Sequence, residues 1–269
     1  MNVLILDGYN LLHRAYHGNR FGQFHTVFNF FRSLRPIVEK FKPDFAYFVI
    51  EGRPVGNVEA LASYKSNRSA ASDTFNEHKQ VCLELLTKYF PIKVIRHPNF
   101  EADDVVGALV RHWHYNDNVT VVSSDTDFIQ LLNEFEKVRL YSPIKKKFAE
   151  LPDYDYITWK ALRGDSADCI PGIPGVGDKT ATKMIHDASL MESKLSKDNN
   201  REIFERNLKL IKFDTLDGEM DNLEVSSPTF NWPAVKSVFT DFEFNSIVND
   251  KSWKKFTDTF TPLWAELGL

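Results

Sequence analysis

Short apolar runs, three of which lead into an acidic residue, separated by amphipathic stretches, constrain this chain more than any other feature. Val3-Leu4-Ile5-Leu6 runs into Asp7-Gly8, and Phe45 to Ile50 runs into Glu51-Gly52. Ile92 to Ile95, Val119 to Ser123 and Val138 to Tyr141 complete five predicted strands. Continuous apolar runs of this length mark strands buried on both faces. Between them, 24–41 (despite Pro36), 74–90, 101–114 and 127–132 read as helices; Val81, Leu85 and Tyr89 carry the i, i+4 spacing. The alternation predicts an α/β fold with a mostly parallel central sheet flanked by helices on both faces. Ligands of such sheets bind beyond the carboxyl ends of the strands. Asp7, Glu51 and Asp125 all fall there.

From about residue 153 the pattern turns helical, interrupted by a Gly/Pro-rich turn at 171–177. We expect an α/β core over 1–150, interrupted by a polar, Ser/Asn/Arg-rich stretch at 53–73 that reads as a long loop or mobile segment. A helical region over 151–269 would pack on that core as part of one structural unit. The aromatic-rich stretch 230–264 reads as packing back onto the body. With 269 residues, 43% of them apolar, a sizeable core is available. No apolar run approaches the ~20 residues of a membrane span, and the N-terminus lacks the features of a signal peptide. The two cysteines, Cys82 and Cys169, are too few for a disulfide framework or a zinc quartet. These features point to a reducing, cytoplasmic setting.

Net charge is −4, which on its face argues against a nucleic-acid partner. Nine acids change that balance, because neutralising them with metal ions would take the chain to +5. They fall in five groups: Asp7; Glu51; Glu101, Asp103 and Asp104; Asp125 and Asp127; Asp165 and Asp168. Each acid alone is usually a helix cap or a solvated charge. Brought together at strand ends they repel one another, and burial penalises them further, so compensating cations are required. Hard oxygen donors with few histidines or cysteines favour Mg²⁺ or Mn²⁺ over zinc. Asp165 and Asp168 share a face on a helix or turn, as do Glu101 and Asp104 at a helix start. If Asp127 caps the helix that follows it, only Asp125 need reach a metal. Two divalent ions ~4 Å apart can activate water and grip a scissile phosphate.

The run Pro171-Gly172-Ile173-Pro174-Gly175-Val176-Gly177-Asp178-Lys179-Thr180 reads as a tight turn opening a helix. Its glycines allow close backbone approach, and helix N-terminal amides suit a phosphate. Gly172, Gly175, Gly177, Lys179, Thr180 and Lys183 are the candidate DNA contacts there. It is not a Walker loop, because G-x-x-x-x-G-K-[ST] is absent. In Tyr64-Lys65-Ser66-Asn67-Arg68 a basic pair beside an aromatic can neutralise a phosphate and stack a base.

Together these segments resemble the flap-endonuclease/5′-3′ exonuclease family over roughly residues 3–250. The motifs that carry the likeness are Asp7-Gly8-Tyr9-Asn10, Tyr64 to Arg68, Glu101-Ala102-Asp103-Asp104, Ser124-Asp125-Thr126-Asp127 and Gly164-Asp165-Ser166-Ala167-Asp168 running into the Gly/Pro turn. Phe242-Glu243-Phe244-Asn245-Ser246 adds a weaker late signature. The resemblance implies a PIN-like nuclease fold in which all nine acids line a site for two or more Mg²⁺ ions, some through water. Asp7 and Asp125 would be catalytic ligands. Lys65 would orient the scissile phosphate, with Arg68 supporting it, Tyr64 stacking on a base and Arg14 meeting phosphate. It further implies a helical arch at 53–80, and a helix-turn-helix-like duplex grip at 160–190. Turn carbonyls near Ile173 and Val176 would bind K⁺. One departure stands out: the family usually has Asp where this chain has Glu51, whose oxygens reach ~1.5 Å further.

The implied activity is hydrolysis of DNA near a 5′ end, in replication or repair, leaving a 5′-phosphate and a 3′-hydroxyl. The partners would be flap, nicked, gapped or duplex-end DNA, an RNA–DNA hybrid in an RNA-primer-removing variant, and replication proteins. A monomer of the stand-alone bacteriophage or bacterial type is expected. The rivals are a DNA-binding module that has lost catalysis and a small-molecule phosphatase. The intact acid set argues against the first, the Gly/Pro turn and basic loop against the second.

Overall fold

In the computed structural model, which describes residues 1–53, 61–67, 71–227 and 229–265, the first strand lies at the middle of the sheet. β1 (Asn2–Asp7) pairs in parallel with both β2 (Phe45–Val49) and β4 (Asn118–Val122). β3 (Lys93–Arg96) extends the sheet beyond β2, and β5 (Val138–Ser142) extends it beyond β4, again in parallel. The two edges are antiparallel two-residue strands, β6 (Lys147–Phe148) on β5 and β9 (Glu224–Val225) on β3. The full order is β6-β5-β4-β1-β2-β3-β9. The strand order reverses beside β1, which makes its carboxyl end the topological switch point where such sheets open a crevice.

Alternation along β1 sends its side chains into two cores. Leu4 and Leu6 pack with α1 (Gly8–Tyr16), α2 (His25–Phe41) and α3 (Asp73–Tyr89). Val3 and Ile5 pack on the other face with α4 (Ala102–Ala108), its π-helical continuation Leu109–Trp113, and α5 (Ile129–Glu134). Helix α2 runs through Pro36 and closes on Lys42 at φ 43°.

A third cluster joins α6 (Tyr156–Arg163), α7 (Asp178–His186), α8 (Ala188–Leu195) and α9 (Asn200–Ile211). Between α6 and α7 the chain forms a hairpin, β7 (Gly164–Asp165) against β8 (Ile170–Pro171). Gly164 (φ 77°) and Gly172 face each other across it so closely that a Cβ on Gly172 would lie 2.1 Å from the Arg163 carbonyl oxygen. The closing helices α10 (Trp232–Asp241), α11 (Asn245–Val248) and α12 (Asp250–Phe260) return to the first core through Val235, Phe239, Phe244, Phe256 and Phe260. Among the described residues no helix is long and apolar enough to cross a membrane.

The sequence pattern stops counting strands at residue 153. The β7–β8 hairpin and β9 escape it because two residues are too few for periodicity to register.

Candidate metal centre

Asp7 ends β1 and caps α1, its Oδ1 accepting from the Asn10 amide at 3.2 Å. Its Oδ2 accepts from the Ser123 hydroxyl at 2.6 Å, and Ser123 Oγ accepts from the Asp125 amide at 3.0 Å. Asn10 Oδ1 takes the Ser124 amide at 3.1 Å. The ends of β1 and β4 are therefore laced together across the switch point. Ser123 and Asn10 are absent from the residues singled out by sequence; Asn10 closes a quoted motif and Ser123 ends a predicted strand, but neither carries charge. Burial, and after it the neighbouring Glu51 and Asp125, push the Asp7 carboxyl up to about 7, although its two hydrogen bonds resist the shift. The Asp125 carboxyl is raised by burial and then by Asp127.

Helix α4 delivers Glu101, Asp103 and Asp104 from its first turn. Burial raises Asp103 well above the ordinary carboxylate range, with Asp104, Glu101 and Glu51 adding to it. Asp104 also serves the backbone. Its Oδ2 accepts from the Glu101 amide at 3.2 Å and its Oδ1 from the Asp214 amide at 2.8 Å, so it ties the helix start to the segment after α9. Burial pushes its carboxyl up to about 7.

Lys65 occupies the middle of the acids. Its Nζ is ion-paired to Glu101 Oε1 and lies 3.9 Å from Asp168 Oδ2. Burial pulls its pKa down, but Glu101, Asp103 and Asp168 outweigh this and hold it above the usual lysine value. Its backbone is left-handed (φ 52°), an uncommon state for a non-glycine residue, and its amide donates to the Asp168 carbonyl at 2.9 Å. Tyr64 corrects an expectation. Its ring is only 7% exposed, inside the third cluster, and its hydroxyl donates to Glu101 Oε2 at 2.6 Å. A buried ring cannot stack on a base, so Tyr64 fastens Glu101 instead. Arg68 lies outside the described residues.

On the hairpin side, Asp127, Asp165 and Asp168 each offer a carboxylate oxygen within 4.8 Å of the others, a grouping that could hold a metal ion. The sequence reading missed Lys160, which is 4% exposed. It is ion-paired to Asp127 and, at 2.6 Å, to Asp165. Burial alone would raise the Asp165 carboxyl, but Lys160 wins and lowers it. A lysine five residues before a conspicuous acid was the available signal. Asp127 does not cap α5, whose N-cap is Phe128. It binds Lys160 and, at 3.1 Å, the Tyr156 hydroxyl.

In the Gly/Pro turn, Gly175 (φ 75°) and Gly177 have no neighbour where a Cβ would stand, and Lys179 and Lys183 are exposed on α7. This surface is open to a phosphate. Gly172 serves a different purpose, the close hairpin contact described above. The Ile173 carbonyl accepts the Val176 amide at 3.0 Å within the turn, and both side chains are buried. Thr180 is half-buried on α7. Arg14 lies on the last turn of α1. With Arg32, Lys40 and Lys146 it lines a groove of about 810 Å³ that has no acidic lining residue.

Residues 2–159 match the 5′-3′ exonuclease N-terminal resolvase-like domain, and residues 151–216 match the 5′-3′ exonuclease C-terminal SAM fold. DNA polymerase I of Bacillus subtilis is 27% identical over 282 residues, covering 91% of this chain and 32% of the polymerase. DNA polymerase I of Lactococcus lactis subsp. lactis is 30% identical over 216 residues, covering 71% of this chain and 24% of the polymerase. The chain thus spans a third or less of these relatives. Among solved structures, a bacteriophage T5 flap endonuclease in complex with DNA and metal ions superposes with a TM-score of 0.67 at 21% identity, covering 98% of this chain and 99% of that one. The T5 5′-exonuclease with bound zinc ions gives 0.65 at 22% identity, covering 98% and 100%. At these identities the structural likeness speaks to the fold. The two domain matches together cover most of the chain, and it belongs to the 5′-3′ exonuclease family.

Proposed function

We propose that this protein hydrolyses DNA phosphodiesters at or near a 5′ end, using divalent cations, with Mg²⁺ the natural ion and Mn²⁺ a substitute. One observation carries the reading. Acids from five separate stretches meet at the switch point of the sheet, and burial drives Asp7, Asp103 and Asp125 toward the protonated state. Buried carboxylates in this number are held ionised only by cations, and an all-oxygen donor set suits hard ones.

Asp7, Glu101, Asp103, Asp125, Asp165 and Asp168 are the residues we assign to hold the ions, and Asp127 joins Asp165 and Asp168 in a grouping whose carboxylate oxygens lie within 4.8 Å of one another. When bound, such ions supply a water nucleophile at neutral pH and neutralise charge on the phosphate. Lys65, held by Glu101 and Asp168, stabilises charge on the transferring phosphoryl oxygens. Tyr64 keeps Glu101 in place. The exposed turn at Gly175 and Gly177, with Lys179 and Lys183, grips duplex backbone, and its carbonyls are the proposed K⁺ site. Arg14 and its basic groove take further phosphates. The division at about residue 150 into a catalytic core and a duplex-gripping region belongs to this proposal. Products carry a 5′-phosphate and a 3′-hydroxyl.

The test is cleavage of 5′-labelled flap, nicked, gapped and single-stranded DNA with Mg²⁺ and with EDTA. We expect cutting with Mg²⁺ only. Asp125→Asn should lose activity by about 1,000-fold or more while binding DNA within a few-fold of the parent. Cutting in EDTA, or an Asp125→Asn variant as fast as the parent, defeats the assignment.

A further inference from the structure

Glu51 stands where the family resemblance expects the shorter aspartate. Its carboxylate Oε2 accepts the Ala102 amide, the first N–H of α4, at 3.1 Å. The backbone around it is fixed against the segment that leads into that helix. Ile50 N donates to the Ile95 carbonyl at 2.9 Å, Gly52 N to Phe100 at 3.0 Å and Arg53 N to Pro98 at 2.9 Å. The approach at Gly52 is so close that a Cβ there would sit 1.9 Å from the His97 carbonyl oxygen.

The first amides of a helix lack partners inside the helix and must find them elsewhere. In α4 the Asp104 amide is taken by Asp103 Oδ1 at 2.9 Å, while Asp104 itself takes the Glu101 and Asp214 amides. Glu51 supplies the acceptor for Ala102 from a different strand. The contact depends on length: an aspartate at this position reaches ~1.5 Å less far, and a 3.1 Å hydrogen bond becomes a gap.

We infer that Glu51 is a positioning residue, which clamps the start of the helix bearing Glu101 and Asp103 to the end of β2 instead of directly ligating a metal. This rests on the divalent-cation reading above, since Glu101 and Asp103 are its proposed ligands. The added methylene turns a ligand position into a strut. Partners that orient metal ligands typically change metal affinity 10- to 100-fold when lost.

Two substitutions separate the alternatives. Glu51→Gln keeps an oxygen for the Ala102 amide but removes the charge. Glu51→Asp keeps the charge but cannot reach. The readouts are thermal melting in EDTA and Mn²⁺ titration by calorimetry, both on the full chain. We expect Glu51→Asp to lower the melting temperature in EDTA by roughly 2–4 °C and to weaken Mn²⁺ binding about tenfold. Glu51→Gln should stay within about 1 °C and threefold of the parent. The reverse order, with Glu51→Gln losing tenfold or more in Mn²⁺ affinity and Glu51→Asp matching the parent, makes Glu51 a direct ligand and overturns the inference. An unchanged melt for Glu51→Asp in EDTA also overturns it. A parent that binds no Mn²⁺ defeats the metal reading separately, and the EDTA melts still decide whether Glu51 holds the helix.

Discussion

On the core side of the site, burial pushes Asp7, Asp103 and Asp125 toward the protonated form, and among the described residues none is ion-paired to a lysine or arginine. On the hairpin side, Lys160 stands between Asp127 and Asp165 and keeps Asp165 readily ionised. The difference teaches how one pocket can hold so many acids and still fold. One half carries its own cation, which offsets part of its charge before any metal ion arrives. The other half is left short of positive charge and stores a demand for ions from solution. Lys65 bridges them, touching Glu101 on one side and Asp168 on the other.

Removing the bridge sharpens this comparison most. Lys65→Ala should slow single-turnover cleavage by about 100-fold while DNA binding changes less than threefold. A single-turnover rate equal to the parent's refutes the role. The halves themselves should respond in opposite senses when charge is removed. In EDTA at pH 8, Asp7→Asn relieves an uncompensated buried carboxylate and should raise the melting temperature by roughly 2–5 °C. Asp165→Asn leaves Lys160 with one acidic partner and should lower it by a similar amount. Equal shifts of the same sign would erase the distinction.

Much of this site is legible in the strand pattern. Apolar runs followed by acids place Asp7, Glu51 and Asp125 at strand ends, and a parallel sheet forces those ends to one edge. Periodicity reports which face a residue takes and where an element stops. It does not report what a side chain touches across space. For that reason Tyr64 reads as an exposed stacking ring when its hydroxyl is spent on Glu101. Lys160, which the pattern does not single out, is buried between two acids. The two backbone amides that Asp104 accepts are likewise invisible to the pattern. The departure at Glu51 shows only against the family resemblance, and the direction of its consequence waited on the Ala102 contact.

Mn²⁺ titration at pH 7.5 and pH 5.5 tests most directly that these acids form one cation-demanding pocket. Asp7 and Asp104 have folded-state values raised to about 7, against about 3.8 when unfolded. In metal-free protein they bind protons that the unfolded chain has released, so their contribution to stability is fully present below about pH 4 and lost as pH rises through about 7. Divalent ions held by Asp7 must displace its proton. The account predicts saturable binding at pH 7.5 and affinity at least about tenfold weaker at pH 5.5. Absence of saturable binding at pH 7.5, or the same affinity at both values, would contradict it.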